Sequence, residues 1–120
     1  MMKDIESEED IKLMVDQFYL KVNAHTQLSP FFNEIAKIDW NHHLPKMYDF
    51  GSSILFGTMK YSGAPFPKHL ALPLRKENFD QWLELFFNTV DENFKGSKAE
   101  EAKIRASTIA KTFIYKMGLY

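Results

Sequence analysis

Apolar residues recur along most of this chain at three- and four-residue steps, and nowhere do they alternate in the two-residue rhythm of a strand. The first such run predicts a helix from about Glu8 to Ala24, with Ile11, Val15, Phe18, Tyr19 and Val22 on or beside one face. Ser7, followed by Glu8, Glu9 and Asp10, supplies a cap and an acidic first turn that suit the positive end of the helix dipole. Leu28 to Asn33 reads as a turn leading into a short helical piece, in which Phe31 and Phe32 cannot both face the core. A second long helix is expected from Trp40 to Phe56, capped by Asp39 or Asn41 and ended by Gly57; His43, Met47, Phe50, Gly51 and Ile54 share a face. The third, about Glu77 to Phe94, carries a broad stripe of Phe79, Trp82, Leu83, Phe86, Phe87, Val90 and Phe94. After Gly96, the run Ser97-Lys98-Ala99-Glu100 fits a capping box opening a fourth helix, whose apolar face holds Ala102, Ala106, Ile109, Ala110, Phe113 and Met117.

Between the second and third helices lies a stretch that a plain four-helix bundle does not need. Pro65, Pro67 and Pro73 bracket Lys68-His69-Leu70-Ala71-Leu72, leaving room for about one helical turn. A neutral imidazole fixed in such a turn is suited to holding a metal. It is equally a surface histidine with no task, and the rest of the chain has to decide.

Length then fixes the scale: 120 residues make a single domain, residues 1–120, with residues 1–7 expected as a flexible N-terminal extension. The absence of cysteine excludes disulfides and thiolate metal sites, and fits a cytoplasmic location. The acidic start is unlike a secretory signal, and no apolar run reaches the length of a membrane span. Net charge is −1, without the basic stripe that nucleic acid would demand. Eleven phenylalanines, five tyrosines and two tryptophans exceed what a small core requires, so a pocket for a large, flat apolar ligand comes into view.

The chemistry on offer is narrow. Of the four histidines, His25, His42, His43 and His69, the adjacent pair sits about 100° apart on a helix and is poorly placed to share a metal. No HExxH, Glu-x-x-His pattern, nucleophile elbow or phosphate loop occurs. What remains is a histidine in a rigid turn, a second on an apolar helix face, Tyr19 and Trp82 on two other helices, and many phenylalanines. One imidazole facing an aromatic-lined cavity is what a haem site requires.

On these residues the chain resembles a truncated haemoglobin of group III. The likeness runs through Phe18-Tyr19, Pro30-Phe31-Phe32, His43 to Phe50, Lys68 to Pro73, Phe79 to Phe86 and Arg105 to Ala110, in order. The double-glycine motifs of the other truncated groups are missing, as in the third. The resemblance implies an all-α, shortened globin fold, with two antiparallel helix pairs sandwiching haem b (iron protoporphyrin IX). It implies His69 as proximal iron ligand, Tyr19, Trp82 and His43 as distal residues, and Phe18, Phe32, Met47, Phe50 and Phe86 as pocket wall. It also suggests Lys68 and Tyr61 as propionate contacts. The expected function is binding of dioxygen and other diatomic ligands, in oxygen handling or in nitric oxide or peroxide detoxification. Nitric oxide dioxygenase or peroxidase-like turnover would need a separate reductase, since no flavin or nicotinamide motif occurs here. The alternative is a haem-free helical interaction module. One departure stands out: Gly51 occupies a position where the family usually has tryptophan. It leaves either a cavity or a repacked core, and the cavity is expected, with a tryptophan accepted there without loss of stability.

Overall fold

The computed structural model describes residues 2–61 and 72–119. Its long elements are α1 (Glu8–Ala24), α2 (Trp40–Phe56), α3 (Lys76–Asn93) and α4 (Ser97–Lys116), with a π-helical turn at Phe31–Ile35. There is no strand among the described residues. The proline-bracketed stretch with Lys68 and His69 lies outside them.

Local signals place the first two helices where the sequence puts them. At Ser7 the hydroxyl accepts from the Asp10 amide at 3.3 Å, and the Asp10 carboxylate accepts from the Ser7 amide at 3.2 Å, closing a capping box. Gly57 ends α2 in the left-handed region, φ 66°, where a side chain would be strained. Pro45 sits inside α2, and Asp39 is its N-cap residue without a side-chain hydrogen bond.

Packing follows the apolar stripes. Helix α1 lies along α2, α3 lies along α4, and the two pairs meet where α1 crosses α3 and α2 reaches α4. Ile11, Val15, Phe18 and Val22 of α1 are buried, as are Val90 and Phe94 at the end of α3. The alanines at 99, 102, 106 and 110 let α4 approach closely; all four are buried. Lys98 closes the α2–α4 contact by donating to the Leu55 carbonyl at 2.6 Å, an orphan acceptor at a helix C-terminus.

The start of α4 departs from expectation. Ser97 does not cap it; the N-cap residue is Gly96, and the cap comes from far away in sequence. The Asp4 carboxylate accepts from the amides of Lys98 at 2.9 Å and Ala99 at 2.8 Å, and from the Ser97 hydroxyl at 3.4 Å. Gly96 has φ 147°, and a Cβ there would fall 2.5 Å from Asp4 Cγ, so no other residue fits. The segment expected as a flexible extension is thereby tied down: Ile5 is 2% exposed in the main core, and the Lys3 carbonyl accepts from the Lys95 amide.

Desolvation pushes the Asp4 carboxyl up, but the amides of Lys98, Ala99 and Ile5 and the Ser97 hydroxyl together hold it below its ordinary value. A lowered carboxylate stabilises the fold above the unfolded-state value of about 3.9 and loses that contribution as pH falls through the folded one. Asp4→Ala is expected to cost about 1–2 kcal/mol in urea denaturation at pH 7, and much less near pH 2. An equal loss at both pH values would remove the carboxylate from the account.

Candidate functional site

The aromatic stripes converge at the α1–α3 crossing. Phe18, 3% exposed, is the hub. Its ring meets Trp82 edge-on at 5.6 Å, Phe86 edge-on at 5.3 Å and Tyr19 at 5.0 Å between centroids. Trp82 and Phe86, four residues apart on α3, stack at 6.0 Å with planes 10° apart. Beyond Tyr19 a second group forms: His43 at 5.6 Å, Trp40 at 5.2 Å and Phe32 at 6.2 Å from the phenol ring. The fold thus brings Tyr19 and His43 into direct ring contact and joins Trp82 to them through Phe18.

Burial pushes the Tyr19 phenol well above its ordinary range, so its hydroxyl remains protonated and a donor at any physiological pH. Tyr48, half-buried on α2 against α1, is pushed up to about 12 by burial and by the Asp16 carboxylate that accepts from its hydroxyl. The unfolded chain releases these protons near pH 10, so stability is full below that and falls as pH rises towards the folded values. Ultraviolet titration is expected to show tyrosine ionisation extending well above pH 10, with one late-ionising phenol fewer in Tyr48→Phe.

Met47, Phe50 and Gly51 of α2 face the hub across a cavity of about 100 Å³, lined almost wholly by carbon. Met14, Val15, Tyr19, Ile54, Trp82, Phe86, Ala102 and Ala106 complete most of its wall. Phe50 meets the Tyr61 ring edge-on at 5.2 Å, and the Tyr61 amide donates to Ser53 at 2.9 Å; Tyr61 is thus fixed where the chain leaves α2.

The expected cavity beside Gly51 is present, but a side chain there would not enter it freely. A Cβ at 51 would lie 3.0 Å from Ile11 Cγ2, and Ile11 is 1% exposed. Ile11 would have to give way by a few tenths of an ångström, and its burial leaves it little room. The expectation of a harmless Gly51→Trp therefore gives way: the variant is expected to lose about 1–3 kcal/mol in thermal or urea denaturation, from overpacking against α1.

Of the sequence-derived site residues, Tyr19, Phe18, Trp82, Phe86, Met47 and Phe50 share this cavity wall, His43 and Phe32 flank Tyr19, and Tyr61 is tied to Phe50. Lys68 and His69 lie outside the described residues. Trp40 was legible only as the start of a helix; its aromatic neighbours at 43 and 32 are the signal that could have marked it. No cluster of three or more metal-ligating side chains occurs among the described residues.

An all-helical fold of two antiparallel pairs around an aromatic cavity defines a shortened globin. A sequence profile of the bacterial-like globin family matches residues 2–115, and the chain belongs to that family. It is 32% identical over 119 residues to the group 3 truncated hemoglobin ctb of Campylobacter jejuni, covering 93% of this chain and 94% of that one. The crystal structure of a group III truncated hemoglobin from Campylobacter jejuni superposes with a TM-score of 0.87 at 32% identity, over all of this chain and 96% of that one.

As a globin the chain is a haem-binding protein, and its residues fit such a group. Helix α2 buries only Ser52 and Leu55; Leu44, Met47, Phe50 and Ile54 stay half-buried on its apolar side. A flat apolar ring system laid against that side would cover what the protein leaves open.

Proposed function

We propose that the chain binds haem b through His69 and holds dioxygen or another diatomic ligand against Tyr19, Trp82 and His43. The observation that carries this reading is the half-covered apolar side of α2, facing the aromatic wall of α1 and α3. When bound, the haem supplies the iron at which a diatomic ligand is held and its redox chemistry.

The protein's own groups do the rest. Tyr19 and Trp82 donate hydrogen bonds to the ligand from a surrounding of low polarity, where such bonds strengthen. Phe18, Phe32, Met47, Phe50 and Phe86 keep water away from it. Lys68 and Tyr61 would contact the propionates. With a separate reductase the same pocket would support turnover of nitric oxide or peroxide.

The test is the absorption spectrum of purified protein supplied with haem. A Soret band, a globin-like ferrous carbon monoxide spectrum and a pyridine haemochrome of the b type are expected. Protein that remains colourless at stoichiometric haem would overturn the reading.

A further inference from the structure

Trp40 lies three residues before His43 on α2, on the same face, and the two rings meet edge-on at 5.6 Å. Tyr19 closes a triangle with both, at 5.2 Å from Trp40 and 5.6 Å from His43. His43 therefore sits in a corner between two aromatic rings on two helices. Phe32 packs on Trp40 at 6.1 Å and on Tyr19 at 6.2 Å.

The far end of the indole is pinned. Trp40 Nε1 donates to Asn33 Oδ1 at 2.8 Å, and Asn33 Nδ2 donates to Asn23 Oδ1 at 2.9 Å. An indole N–H can only donate, which fixes the orientation of the Asn33 amide and turns its nitrogen to Asn23. Asn33 stands in the π-helical turn, a geometry often found at functional sites, and Asn23 in the last turn of α1. A chain of two hydrogen bonds thus runs from α1 through the π turn to the ring that borders His43.

We propose that Trp40 is a positioning residue of the ligand pocket: a latch, held by Asn33, that keeps the His43 imidazole packed against Tyr19. The proposal rests on the reading that Tyr19 and His43 border the bound ligand. Releasing the latch frees His43 to rotate away from Tyr19 and opens the path beside it.

The test uses the ferrous carbon monoxide form of the haem-loaded protein. Ring currents from Tyr19, Trp40 and the porphyrin should displace the His43 ring-proton signals, and Trp40→Leu should shift them clearly from their wild-type positions. Carbon monoxide association after flash photolysis should rise about two- to tenfold in Trp40→Leu, the range expected for an aromatic pair. Asn33→Ala should raise it within a similar range. Trp40→Phe keeps a ring but loses the tie, so adding Asn33→Ala to it should change nothing further. Should Trp40→Leu not fold, Trp40→Phe and Asn33→Ala decide. Unmoved His43 signals with unchanged association, or additive effects of the Asn33 and Trp40 substitutions, would overturn the latch. A missing Soret band in the wild type would instead sink the haem reading, and His43 ring shifts would then still judge the latch.

Discussion

Replacing His69 by alanine is expected to abolish stable haem retention and to lower the melting temperature by about 10–20 °C. The second figure follows from mass action. A ligand bound only by the folded state, at a thousand times its dissociation constant, adds about 4 kcal/mol, and a domain of this size shifts by several degrees per kcal/mol. The surroundings of the other histidines support the choice. His25 Nδ1 accepts from the amides of Gln27 and Leu28, both at 3.2 Å, and so closes the turn after α1. His42 is exposed on α2. His43 is packed between Tyr19 and Trp40, on the side where the ligand would lie. His25→Ala and His42→Ala should therefore keep both the spectrum and the haem-dependent part of the melting temperature. The decisive comparison is haem transfer to a high-affinity acceptor protein, fast from His69→Ala and slow from the rest. Wild-type retention by His69→Ala would show that another group holds the iron.

The second large effect concerns oxygen release. Tyr19→Phe and Trp82→Phe are each expected to raise the oxygen dissociation rate about ten- to a hundredfold. A hydrogen bond to an acceptor carrying charge is worth about 1.5–3 kcal/mol, and bound dioxygen is such an acceptor, whereas carbon monoxide carries little charge. Carbon monoxide dissociation should accordingly stay within about twofold. The phenylalanine variants suit the test because neither ring leaves its packing: Tyr19 is held by Phe18, Phe32, Trp40 and His43, and Trp82 by Phe18 and Phe86. Unchanged oxygen rates in both variants would mean that neither group reaches the ligand.

How far the sequence could be read depended on how local each signal was. The bounds of α1 and α2 agree with expectation; Ser7 and the acids after it set the start of α1, and Gly57 the end of α2, each within one turn of where it stands. The expected start of α3 was one residue late; its first turn is set by Arg75 and Asn78, where the Asn78 carboxamide accepts from the Arg75 amide at 2.9 Å. The opening of α4 was misread, since a serine and a glutamate at capping-box spacing look the same whether or not a carboxylate from the other end of the chain takes their place. Gly51 shows the same limit: the sequence reveals missing bulk, but not that Ile11 crowds the point from which a side chain would start. Trp40 escaped because its partner Asn33 stands in the π turn, outside α2, so no continuous helix links the two positions. The aromatic excess, by contrast, was a property of the whole chain and pointed to the pocket without any contact being known.

The Asp4 cap gives the protein two built-in reporters. At the head of a helix the first amides are ordinarily left to water and exchange their protons rapidly. Those of Lys98 and Ala99 are instead held by a carboxylate 94 and 95 residues away. Their deuterium uptake accordingly measures how often the first strap of the chain lifts from the last helix. Acid that protonates Asp4 should quicken it even after correction for the intrinsic pH dependence of exchange.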